Sequence, residues 1–272
     1  MATRLAARSW PDARALFDDA ADSDRLYFSL AARIEPLAGA ELAWIPGLSH
    51  LPGAVVLQRI CSTAVARGGA AMLERVERRL EALGTPIARL YLQDKSPAAD
   101  AILLEAGYHE RHELIFAGEA HAEPLDGLTL HAITTDAQWV RKKAFHEQTD
   151  ERPDGHPCAA SDWVEMERRK CAAGGMIAYY GEIDGEMVGV CGALPGARLT
   201  RVKNIAVHPA HRRRRIGSHM LALAGRAGAG ERLPICIYAV AGEAGELLYR
   251  AAGLVELGSV VEWSKPLTAS EA

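Results

Sequence analysis

The chain has 272 residues, 49% of them apolar and 24% charged, and a net charge of −4. That is enough for one large or two ordinary soluble domains, and the acidic balance argues against the broad basic field used by non-specific nucleic-acid binders. Five dispersed cysteines, Cys61, Cys158, Cys171, Cys191 and Cys236, form no C-x-x-C pair. With no 18-residue apolar run and no apolar stretch in Met1–Ala20 typical of a secretory signal, the expectation is a cytoplasmic protein with free thiols.

In chain order, the first clear helix spans about Ala71 to Leu83, with Leu73, Val76, Leu80 and Leu83 on one face. A strand at Leu90–Gln93 follows, then a helix opened by Ser96-Pro97 and closed by Gly107. The polar segment Ala117–Gly127 marks a domain boundary. Beyond it, Leu128–Ile133 alternates as a strand, and Thr135-x-x-Gln138 is a capping box for a helix through Phe145. Gln148–Ala160 reads as a loop, and Asp162-x-x-Glu165 as a second cap for a helix that stops at Gly174-Gly175. Met176–Ile183 and Glu186–Ala193 are strands joined by the hairpin dipeptide Asp184-Gly185. Leu199–Val207 is a strand, Ile216–Ala227 a helix, Pro234–Val240 a strand, Glu243–Ala252 a helix and Leu254–Trp263 a last strand.

The most informative stretch is Val202–Ala222, VKNIAVHPAHRRRRIGSHMLA. An apolar strand runs into His208-Pro209, four arginines and Gly217, and then a helix. Such a turn exposes backbone N–H groups, and the helix start turns its positive dipole end toward an anion. Gly217 would allow close approach of backbone to ligand. A basic spot on an acidic chain suits a small phosphorylated ligand.

Here the chain resembles the GNAT superfamily of acyl-coenzyme A dependent N-acyltransferases. Val207-His208-Pro209 matches its strand end, and Arg212-x-x-Arg215-x-Gly217 its loop, with Arg215 where the family has a glycine. The resemblance implies that acetyl-CoA is held by Arg212, Arg213, Arg214, Arg215, Ile216, Gly217 and Ser218, with Ile205, Ala206 and Val207 facing the pantetheine arm where two neighbouring strands splay. Leu248-Tyr249 through Gly253 resembles the family's Leu-Tyr-x-x-x-Gly motif, making Tyr249 the candidate general acid for the departing thiolate; its other reading is a half-buried helix tyrosine. Gly242 stands where the family has an asparagine.

A base is not assigned. The strand positions where many relatives carry a carboxylate hold Lys203 and Asn204, leaving Glu147, Asp150, Glu151 or relayed water; each acid singly reads as a solvated loop residue. His146 and His156 belong to the same loop region. His208, His211 and His219 match no metal-binding spacing, so no metal site is expected, and Cys191 reads as a core thiol.

With a constant offset of 146 residues, the first half aligns on the second: Gly107 falls on Gly253, the strand at Leu90 on that at Cys236, and Leu103 on Tyr249. The expectation is an α/β (α+β) chain of two GNAT-like domains, each a mixed, mostly antiparallel central sheet flanked by helices. Residues 1–120 form a degenerate copy with ARGGAA (66–71) at the loop position, 127–267 the acetyltransferase domain, and 268–272 a tail. The expected reaction moves an acetyl group to a primary amine of a small molecule, in a monomer or homodimer, without nucleic-acid or membrane partners. A non-catalytic acyl-CoA sensor is the second reading, and nucleic-acid binding through the arginines the third.

Overall fold

The computed structural model describes residues 13–122, 125–149, 158–227 and 233–267. Eleven strands make one twisted sheet, with helices on both faces. The first half runs α1 (Ala13–Ser29), β1 (Arg33–Leu37), β2 (Ala40–Trp44), β3 (Val55–Ile60), α2 (Ser62–Ala82), β4 (Ile87–Leu92), α3 (Pro97–Glu105) and β5 (His109–Gly118). The second runs β6 (Thr129–Ala132), α4 (Asp136–Thr149), α5 (Ala160–Ala172), β7 (Ile177–Ile183), β8 (Glu186–Pro195), β9 (Thr200–Val207), α6 (Ile216–Ala227), β10 (Ile235–Val240), α7 (Ala244–Ala251) and β11 (Val255–Pro266).

Strand order across the sheet is β1-β2-β3-β4-β11-β5-β10-β9-β8-β7-β6. The order shows an exchange: β11, the last strand of the second half, lies against β4, while β5, the last of the first half, lies against β10. These two strands then pair with each other from Ser264–His109 to Val255–Ala117. The two expected sheets are therefore one, joined through its central pair. Pairing is antiparallel except at β3–β4 and β9–β10.

Alternation along the strands decides which helices lie where. Leu57, Ala88, Leu90, Val202, Ile237 and Phe116 face one side and bury α2, α3, α6 and α7. Val56, Ile115, Ala117, Tyr180 and Val190 face the other and bury α1, α4 and α5. Two local expectations hold at atomic detail. Thr135 and Gln138 form a reciprocal capping box, with Thr135 N–H donating to Gln138 Oε1 (3.0 Å) and Gln138 N–H to Thr135 Oγ1 (3.3 Å). Asp184 and Gly185 take φ +50° and +82° in the β7–β8 turn, as a type I′ hairpin requires.

Others are corrected. α4 runs on to Thr149, so Gln148 is helical. α5 starts at Ala160 with Ala159 as an uncapped start, so Asp162-x-x-Glu165 is not a capping box. Asp162 reaches across to His50 Nε2 (3.0 Å), and Glu165 pairs with Arg169 one turn on (2.8 Å). Among the described residues no helix is long and apolar enough to cross a membrane.

Candidate functional site

The site grows out of a fork in the sheet. β9 pairs with β8 along its whole length but with β10 only at Thr200–Ile235 and Arg201–Cys236. From Val202 to Val207, the edge of β9 turned toward β10 has no strand partner among the described residues. A bulge sharpens the divergence: the four residues from Lys203 to Ala206 oppose the three from Val190 to Gly192, and Asn204 takes φ +53°. β10 stays paired with β5 throughout. Ile205, Ala206 and Val207 thus lie on one arm of an open fork and offer it backbone hydrogen-bonding groups.

At the end of β9 the chain makes a short 3-10 turn, Pro209–His211, with His208 Nδ1 accepting from Ala210 N–H (3.3 Å). His208 and His211 are thereby structural to the loop; His211 also meets Glu186 (3.2 Å) and Arg214 (3.0 Å). Arg212 to Arg215 are all exposed. Arg212 Nε ties back to Val207 O (3.2 Å), holding the loop on the strand end. α6 then begins with Ile216, Gly217 and Ser218, whose N–H groups find no backbone acceptor among the described residues. Four exposed arginines thus run directly into a helix start with three backbone N–H groups left over, a combination that suits a diphosphate.

Gly217 has a role the sequence did not disclose. A Cβ there would lie 3.2 Å from Leu248 Cδ2 and 3.6 Å from Val207 Cγ2. The missing side chain lets α6 seat tightly on α7 and on the strand end, fixing the helix start in place.

Tyr249 sits on α7 with its ring edge-on to Phe116 (centroids 5.9 Å apart) and is 6% exposed. Its hydroxyl has no hydrogen-bond partner among the described residues. Burial pushes its pKa up to about 12, against a smaller opposing pull from Arg201, so the phenol stays protonated. It is therefore fully buried rather than half-buried, and keeps a proton to give.

The search for a base ends differently. Asp150, Glu151 and His156 lie outside the described residues. Glu147 is an exposed α4 residue paired with Lys143 (3.4 Å). His146 belongs to α4 and is buried, not a loop residue, and it lies in the field of Glu167. That glutamate was missed: it reaches from α5 to the bulge, where Oε1 accepts from Asn204 Nδ2 (3.0 Å) and Oε2 pairs with Lys142 Nζ (2.5 Å). Burial raises its pKa, but Lys142 and His146 outweigh it and hold the carboxyl below its usual range. A wholly buried carboxylate locked to lysine serves to fix the bulge. The only sequence cue was Asn204 at the family's carboxylate position.

Alongside, α1 of the first half closes over β9. Asp24 bonds both Arg201 (3.1 Å) and Lys203 (3.1 Å), and Lys203 lies over the ring of Tyr27. The first half is thereby bonded to the strand that forms one arm of the fork.

The corresponding fork in the first half is shut. β3 and β4 stay paired to their ends, through Ile60–Leu92 and Gln93 N–H to Ile60 O (2.8 Å). The segment equivalent to the arginine loop is helical, α2 kinking only at Gly69, and Asp94 caps its start by accepting from Ser62 N–H (2.8 Å) and Oγ (2.5 Å). Leu103 is buried where Tyr249 stands in the second half.

Residues 175–255 match the family described as acetyltransferase (GNAT) domain, a span that holds the fork, the arginine loop and Tyr249. Among solved structures, a GCN5-related N-acetyltransferase from Kribbella flavida is 14% identical, with TM-score 0.63, covering 92% of this chain and 95% of that one. A functionally unknown conserved protein from Staphylococcus epidermidis is 12% identical, with TM-score 0.64, covering 88% and 95%. A tandem GNAT protein from the clavulanic acid biosynthesis pathway is 15% identical, with TM-score 0.53, covering 85% and 79%. No curated protein matches the chain in sequence. At these identities the likeness shows the fold alone: the chain is folded like these structures over most of its length, and residues 175–255 match the acetyltransferase (GNAT) domain.

Proposed function

We propose that the chain is an acyl-CoA dependent N-acetyltransferase that moves an acetyl group to the primary amine of a small molecule, with its one acyl-CoA site in the second half. The observation that carries this reading is the fork between β9 and β10, opening beside the free N–H groups of α6 and four exposed arginines. Acetyl-CoA would supply a thioester for attack. Arg212 to Ser218 would hold its diphosphate, and the unpaired edge at Ile205–Val207 would bind its extended arm and donate to the thioester carbonyl as negative charge develops there. Tyr249, kept protonated by burial, would hand its proton to the departing thiolate. The first half, 1–120, would act as a wall for the domain at 127–267, since β3 and β4 stay paired where β9 and β10 part.

A second reading is an acyl-CoA binding module without catalysis. It is favoured by Glu167, the carboxylate nearest the bulge, being locked to Lys142. Calorimetric titration with acetyl-CoA, followed by thiol release over a panel of amines, separates the two. Binding near one per chain with turnover supports the transferase, and binding without turnover on any amine supports the module. Absence of binding would overturn both.

A further inference from the structure

A cavity of about 680 Å³ lies on the α1 face of the sheet, between α1 and the C-terminal ends of β3 and β4, and reaches Tyr238 of β10. Its size is that of an organic ligand site rather than of an ion. Phe17 and Phe28 of α1 and Tyr91 of β4 supply apolar and aromatic wall.

Two buried polar atoms in this wall have no partner among the described residues: Gln58 Oε1 and the Tyr238 hydroxyl. Gln58 is 2% exposed, and its amide orientation is set by its neighbours. Ser29 Oγ spends its own hydrogen on Arg25 O (2.9 Å), so it can only accept, and Gln58 Nε2 donates to it (3.2 Å). The carbonyl oxygen is therefore left as a buried acceptor, a costly arrangement unless a donor arrives.

Charge in the wall points the same way. Its guanidinium groups are engaged: Arg14 with Asp18, Arg25 with Asp22 and Arg59 with Glu41. Asp24 and Asp94 are likewise held by Arg201 and Ser62. What remains is Lys95 against Asp100 and Glu110, the last beside His112 (3.6 Å). An acceptor-rich, slightly acidic cavity with aromatic walls fits an N–H donor carrying positive charge.

We propose that this cavity binds a protonated organic amine with an apolar body, its nitrogen donating to Gln58 Oε1 and its body lying against Phe17, Phe28 and Tyr91. The site lies between the halves, walled by α1, β3 and β4 and by Tyr238 of β10 and Trp263 of β11, and the proposal does not depend on the transferase reading.

The test uses the full chain at neutral pH without acetyl-CoA, titrated calorimetrically with tyramine and with its neutral counterpart, N-acetyltyramine. Tyramine is expected to bind at least about tenfold more tightly than N-acetyltyramine, and Gln58→Leu to weaken it by about tenfold or more. Tyr238→Phe removes one oxygen while keeping the ring, and is expected to weaken tyramine several-fold; it decides the matter if Gln58→Leu fails to fold. Equal binding of both compounds, tyramine binding untouched by the variants, or no heat up to about 10 mM tyramine would overturn the proposal. The separate acetyl-CoA titration reports on the fork alone, so the two readings fail independently.

Discussion

Gly69 falls on Arg215 at the 146-residue offset, and both have positive φ, +52° and +62°. The turn into the helix needs that conformation, and only the second half meets it with a side chain. A non-glycine residue there carries strain of order 1 kcal/mol. Arg215→Gly is expected to raise stability by about 1 kcal/mol, a few degrees at most in Tm for a chain of this size. It should also weaken acetyl-CoA several-fold by removing one guanidinium. Thermal melts and calorimetry check both, and tighter binding by the glycine variant would show that Arg215 does not serve the anion.

Tyr249→Phe separates chemistry from packing. Its hydroxyl makes no hydrogen bond among the described residues, so the variant should melt within about 0.5 kcal/mol of the parent. If the phenol protonates the leaving thiolate, kcat should fall by about 10²-fold while the Kd for acetyl-CoA stays put. Single-turnover kinetics alongside calorimetry give the answer, and an unchanged kcat would return Tyr249 to a packing role.

Asp24 joins the halves by charge, and acid should therefore loosen them. Burial raises its pKa, but Lys203 and Arg201 outweigh that and leave it below the ordinary value of 3.8. A carboxyl lowered in the folded state gives stability that is present above its unfolded pKa and lost as pH falls through the folded one. Glu167, lowered from 4.5 by Lys142 against its own burial, acts in the same sense. Stability should thus decline from near pH 4.5 downward. Asp24→Asn, which strands the buried Arg201, should cost about 3–5 kcal/mol at neutral pH and flatten the acid limb. Urea melts across pH would show it, and an unaltered acid limb would mean that Asp24 does not govern it.

The exchange of β5 and β11 makes the halves interdependent. Residues 1–120 alone would expose the edge of β4 and leave β5 without either neighbour, and 127–267 would do the same to β10 and β11. Each fragment is expected to be unfolded or aggregated by circular dichroism and size-exclusion chromatography, with native signal recovered on mixing. A fragment that is monomeric and cooperatively folded would refute this.

Much was legible in the residues themselves. Thr135 with Gln138 announces a helix start because a side-chain oxygen three residues from a free N–H must find it. Asp184-Gly185 announces a hairpin because both positions tolerate positive φ. The arginine loop, Gly217 and the Leu-Tyr motif pointed to the family whose domain matches residues 175–255. Such signals are local: they depend on neighbours within a turn or a strand.

What the tertiary structure alone decided is which strand lies beside which, and what the charges under β9 are for. Alternation tells a strand its faces but not its partners, so β5 and β11 could not be seen to trade places. Glu167, Lys142, Asp24 and Gln58 look like ordinary surface residues in sequence. Their meaning comes from burial, which makes every charge and amide find a complement. It paired three of them across helices and strands, and left the carbonyl of Gln58 waiting in a cavity.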